Sequence, residues 1–146
     1  MTKEINDYLE NRVDGQIAWH SQKSQMYQSK FKNIKLLQLL CASILPFMTG
    51  LSFLDSYVGY HKLALGFISV VIALSEGVLS LFKYQDLWMQ YRNTVELLKR
   101  EKYQYTFKLG VYVNEENAFL NLVTMVENIL SNQTDTWLKI NLIQKT

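Results

Sequence analysis

LLQLLCASILPFMTGLSFL, residues 36–54, and LALGFISVVIALSEGVLSLF, residues 63–82, are the two stretches whose reading decides the fold. The first carries no charge, and the second carries only Glu76. At 1.5 Å of rise per residue each reaches roughly 28–30 Å as a helix, about the thickness of a bilayer's hydrocarbon core. Joined by the short segment 55–62, they predict a transmembrane helical hairpin with spans 36–54 and 63–82. The competing reading is a soluble bundle whose two central helices are buried all round. In a chain of 146 residues the remaining arms scarcely suffice to surround two such helices. The first span begins too far from the start to look like a cleaved signal peptide.

Global composition would mislead here, since 49% hydrophobic residues and a mean hydropathy of -0.05 also fit an ordinary soluble protein. The length allows one architecture, not two independent domains, so residues 1–146 are read as a single domain. The lone Cys41 lies inside the first span and has no partner for an internal disulfide.

Away from the spans the apolar pattern changes to a helical one. In the arm 1–35, Val13, Ile17, His20, Ser24, Tyr27, Phe31 and Ile34 recur at alternating four- and three-residue steps, a heptad stripe that weakens at His20 and Ser24. Beyond the second span, Tyr84, Trp88, Tyr91, Val95, Leu98, Lys102 and Tyr105 repeat that rhythm. Both arms are therefore expected to continue the spans as long helices, the second over 83–109 with Gly110 as its stop. The segment from Gly110 to Val113 reads as a turn. Asn114 then caps a third helix over 114–131, with Glu115 and Glu116 in its first turn. Phe119, Leu122, Val123, Val126, Ile129 and Leu130 share one face, which predicts that this helix packs on the two long ones as a three-helix bundle. Ser131 to Thr136 reads as polar and turn-like, and in the tail, 132–146, Trp137, Leu138, Ile140, Leu142 and Ile143 either dock on the bundle, the expected outcome, or lie at the membrane interface. The fold class is all-α.

Charge sets the orientation. Residues 20–35 contain Lys23, Lys30, Lys32 and Lys35 and no acid, and Lys83, Arg92, Lys99, Arg100 and Lys102 follow the second span. The connecting segment offers only Asp55 and Lys62, so the Lys/Arg bias predicts both termini in the cytoplasm. Membrane lipid is an expected partner, with the basic flanks suited to anionic headgroups. Nucleic acid is not, because the net charge is only +2 and acids are interleaved in both arms.

Glu76 is the residue most worth weighing, since a carboxyl inside a span is costly and faces protein or water. Either it lines a water-filled path in an oligomer, or it is a protonated or hydrogen-bonded glutamate that holds helices together. Pro46, Gly50, Gly66 and Gly77 permit kinks and close helix approach, and with Glu76 they form the candidate pore or helix interface. Trp88, Tyr91, Arg92, Glu96, Lys99, Arg100 and Glu101 form a polar-aromatic patch on the second long helix. It is either a solvated face with an aromatic seam or an oligomer and docking surface. Glu96 and Arg100, four apart, can pair along it. No catalytic constellation, metal-ligand cluster or cofactor motif is present in the sequence, so an enzyme is not expected. The triplet Asn132-Gln133-Thr134 matches a glycosylation sequon, but it falls on the predicted cytoplasmic side.

Several of these residues also carry a family resemblance. Gln16-Ile17-x-Trp19 with Lys23-Ser24, Ile44-Leu45-Pro46, Glu76-Gly77 and Phe82-Lys83-Tyr84 are its first parts. Trp88-x-x-Tyr91-Arg92-x-Thr94-x-Glu96-x-Leu98-Lys99-Arg100-Glu101, Val126-Glu127-Asn128-Ile129 and Trp137 complete it. The chain resembles the bacterial DUF4231 family, a branch of the SLATT two-transmembrane domains, over nearly its whole length. Val95 stands where a small residue is expected, and Gln133 where an acid is frequent. The resemblance implies an oligomeric effector of the bacterial inner membrane that disrupts the membrane when triggered. It also implies a nucleotide-signal sensor or synthase as a partner protein. The alternative is a membrane-anchored interaction module without a pore.

Overall fold

A computed structural model describes the backbone of residues 2–51, 58–114 and 116–143, and the side chains of 3–50, 59, 60, 62–114 and 116–133. Helix α1 (Thr2–Asp7) passes through a π-helical stretch (Tyr8–Asp14) into α2 (Gly15–Leu51). Then come α3 (Val58–Phe82), α4 (Tyr84–Thr106), a 3₁₀ turn (Gly110–Tyr112) and α5 (Ala118–Ile143). Among the described residues there is no strand, so the chain is all-α as its periodicities predict.

The first arm does run into the first span: α2 is unbroken over 37 residues and carries Pro46 within it. Residues 52–54 of the expected span, and Asp55, lie outside the described residues. The expected segment 55–62 is shorter than its polarity implies, because α3 already begins at Val58 and no proline stands there to delay it.

The second arm does not simply continue its span. Lys83 has φ 43°, the left-handed region, so α3 ends at Phe82 and α4 starts afresh at Tyr84. Its N–H donates to Leu79 O at 3.1 Å, closing the last turn of α3. At the far end, Gly110 is not the stop. Lys108 takes the left-handed position at φ 52°, with its N–H on Tyr105 O at 3.2 Å and the Leu109 N–H on Gln104 O at 2.8 Å. Those two bonds are a Schellman motif with lysine where glycine is usual. Gly110, at φ 60°, instead opens the 3₁₀ turn that buries Tyr112.

The turn falls where it is expected, but the third helix starts later, at Ala118. The Asn121 N–H donates to Asn117 O at 2.9 Å, which makes Asn117, not Asn114, the capping residue of α5. Glu116 precedes the helix, and Glu115 lies outside the described residues. Ser131 to Thr136 is not a turn either, because α5 runs through it to Ile143. Ser, Asn, Thr and Asp disfavour a helix only weakly, and neither Gly nor Pro interrupts this stretch. The side chains of Trp137, Leu138, Ile140, Leu142 and Ile143, whose docking was expected, lie outside the described ones.

The chain forms two compact units, residues 27–85 and residues 1–26 with 86–146. In the second of these, Val13, Leu98, Tyr112, Leu122 and Val126 are the fully buried core, with Ile17, Tyr105, Ile129 and Leu130 packed around them. The third helix thus presents the face its spacing predicts. The weak heptad positions are buried too, His20 and Ser24 at 2% and 6% exposure, because Ser24 Oγ donates to Trp88 O at 3.1 Å and the His20 ring is hydrogen-bonded on both nitrogens.

In the unit 27–85, α2 and α3 lie antiparallel, with Lys35 opposite Glu76 and Tyr27 and Lys30 opposite Tyr84. The seam buries Gln38, Ser75 and Leu79. Outside it the helices are bare. Leu36, Leu39, Phe47, Leu63, Phe67 and Leu81 are all exposed, and only 6% of the most apolar stretch of each helix is buried. The core helix of a soluble protein is mostly buried, and these two helices are not.

Candidate functional site

Glu76 sits on the α3 side of the hairpin seam. One carboxylate oxygen, Oε2, accepts from Lys35 Nζ and from Gln38 Nε2, each at 2.9 Å. Gln38 also reaches Ile72 O at 3.5 Å and is itself buried. A helix pair this apolar has few specific contacts to fix its register, and a charge-assisted clasp supplies one. Gln38 is the one amide within residues 36–54, and that oddity is its signal in the sequence.

The small residues grouped with Glu76 do not serve the intrachain seam. A Cβ built on Gly50, Gly66 or Gly77 meets nothing within 4 Å, and Pro46 is exposed. Within the chain the faces at these glycines are open.

The polar-aromatic patch of α4 separates into two faces, as a period of 3.6 residues requires. Tyr91, Thr94, Val95, Leu98 and Glu101 are buried and Trp88 is half-buried, whereas Arg92, Glu96, Lys99 and Arg100 are exposed. Glu96 pairs backward with Arg92, 3.0 Å from Nε to Oε1, and not forward with Arg100. Arg100 instead approaches Glu101 at 3.7 Å. Glu101 is no surface acid, since its Oε2 accepts from the Tyr112 hydroxyl at 2.7 Å. Burial first, and the adjacent carboxylate second, hold that hydroxyl above the usual phenol range.

In the same unit, α2, α4 and α5 enclose a recess of about 360 Å³ walled by Trp19, His20 and Tyr91, with Arg12, Gln16 and Gln133 at its polar edges. Trp19 meets His20 and Tyr91 edge-on, at centroid distances of 4.7 and 5.8 Å. His20 Nδ1 lies 2.7 Å from Gln16 O, which only accepts, so that nitrogen carries a proton. Nε2 meets the Gln133 side-chain amide. Arg12 forks onto Glu127 with Nε to Oε1 at 3.1 Å and Nη2 to Oε2 at 3.0 Å. The guanidinium's hydrogen bonds hold the Glu127 carboxyl below the usual range, against a smaller upward push from burial. Among the described residues, no group of three or more His, Cys, Asp or Glu side chains is placed to hold a metal ion.

Fold and clusters together define a class: an all-helical chain with two helices long and apolar enough to cross a membrane, clasped to each other by a polar trio. The chain belongs to the DUF4231 family, a protein family of unknown function, whose model matches residues 15–119. No curated protein and no solved structure matches the chain.

Proposed function

We propose that this chain is a multi-pass protein of the bacterial cytoplasmic membrane, both termini inside, acting as an effector that perturbs the membrane by self-association. The observation that carries the reading is the bareness of α2 and α3: among the described residues, only 6% of the most apolar stretch of each is buried. Such surface is stable in lipid or against another copy, and is costly in water. A single hairpin encloses nothing, so a path across the bilayer requires several copies, and the open faces at Gly50, Gly66 and Gly77 suit close helix approach between them. Activation by a nucleotide-signal sensor or synthase protein belongs to the same proposal. Co-expression with the activating partner is expected to depolarise cells, with Glu76→Gln altering the effect. An unchanged membrane potential, or a strictly monomeric particle mass in detergent under activation, sinks the effector reading.

One observation favours a second reading, a membrane-anchored interaction module. The Glu76 carboxylate is already engaged within its own chain by Lys35 and Gln38, which suits a clasp better than the lining of a path. On this reading, replacing both spans with unrelated apolar helices preserves function.

A further inference from the structure

The geometry points to a built site for one anionic phospholipid headgroup at the end of the hairpin that carries Lys30, Lys83 and the Tyr27–Tyr84 ring pair, and we propose it as such; it rests on the membrane reading above. Lys30 Nζ stands 6.0 Å from the Tyr27 ring centroid and 5.9 Å from that of Tyr84. Those rings stack at 6.2 Å, and Phe82 stacks on Tyr84 at 5.5 Å with an 8° interplanar angle. Ring faces hold an ammonium in place without using up its N–H donors. Lys35 is different, because Glu76 takes its charge. Among the described residues, Lys30 and Lys83 form no ion pair with a carboxylate.

Lys83 supplies the independent observation. Its φ of 43° is a conformation that glycine adopts without steric cost and that a side chain resists. The backbone break between α3 and α4 therefore does not call for lysine, and the ammonium it carries to this position is the reason we assign. The antiparallel register sets Lys30 opposite Tyr84, the residue that follows Lys83 in the chain. The stacked tyrosines and Phe82 stand where aromatic rings collect at a membrane interface.

The shared ligand chemistry is a phosphate anion, and the surroundings choose the lipid. On the span side of the cluster, Leu36, Leu37, Leu81 and Phe82 are exposed. Acyl chains attached to a phosphodiester would cover these residues, and a free phosphate would not.

The test uses the full chain purified in a neutral detergent and native mass spectrometry with phosphatidylglycerol against phosphatidylcholine of the same acyl chains. A preference for phosphatidylglycerol is expected, falling about five-fold for each of Lys30→Gln and Lys83→Gly, in line with the attraction a juxtamembrane lysine exerts on anionic lipid. Lys83→Gly relieves the backbone, so its melting temperature should not drop, and any lost preference is then not lost folding. Lys99→Gln, on the exposed face of α4, should leave the preference intact. Equal binding of both lipids, or a preference that survives both substitutions, overturns the proposal. So does displacement of the lipid by millimolar inorganic phosphate, which reassigns the site to a soluble anion. Alkaline extraction separates the two failures: a chain released from membranes ends the membrane reading, whereas a retained chain without lipid preference ends only this inference.

Discussion

Tyr112 and Glu101 show how much one contact can reverse the reading of a residue. Glu101 belongs to a run of charged residues that looks solvated, yet it is buried and takes a 2.7 Å hydrogen bond from a phenol that is itself fully buried. Removing that donor leaves a carboxylate in the interior with its hydrogen bond unmade. Tyr112→Phe is accordingly expected to destabilise the chain by about 1–3 kcal/mol. Glu101→Gln, which keeps an acceptor for the hydroxyl, should cost less. Denaturant midpoints in detergent check both, and an unchanged midpoint for Tyr112→Phe would show that the bond contributes nothing. Nothing local announces Tyr112, because a single aromatic residue between a glycine and an asparagine carries no periodicity. His20 was more legible: it holds a stripe position where an apolar residue is the norm, and a buried imidazole with a partner on each nitrogen resolves the anomaly.

At the level of the element, the helices follow their periodicities and their ends do not follow their breakers. Two lysines, Lys83 and Lys108, occupy left-handed positions at helix ends where the sequence offers no glycine, and the glycine that is near, Gly110, is used two residues later. Chain geometry fixed the stop, and the residue there bears the strain. Replacing Lys108 with glycine should raise stability by roughly 1 kcal/mol, and replacing it with valine should lower it, as thermal melting would show. A melting temperature that falls with Lys108→Gly would mean that the lysine side chain contributes more than the strain it carries. Similarly, α5 runs through its polar middle because neither glycine nor proline interrupts it, and the propensity of its Ser, Asn and Thr is the weaker influence.

Over the molecule as a whole, ion pairs join segments far apart in the chain: Arg12 to Glu127, and Lys102 to Asp14 at 2.6 Å. The first gives a pH dependence of known sign. Because Glu127 titrates below the ordinary 4.5, its contribution is complete above that pH and is lost as acid takes the pH down through the depressed value. Both partners are close to half exposed, so the effect is under about 1 kcal/mol. Glu127→Gln should flatten that part of the acid unfolding curve, and an unaltered curve would show the pair to be idle. By itself the sequence determined the helical class, the two apolar helices, the inward stripes of both arms and the packing face of the third helix. All of these follow from the spacing of side chains along one helix. Only the tertiary structure decided the Glu76 clasp, the inward half of the polar patch, the recess around His20 and the lysine-aromatic cluster at the end of the hairpin. Each of these depends on which residue of another helix stands opposite, and register between helices is set by packing that no single helix encodes.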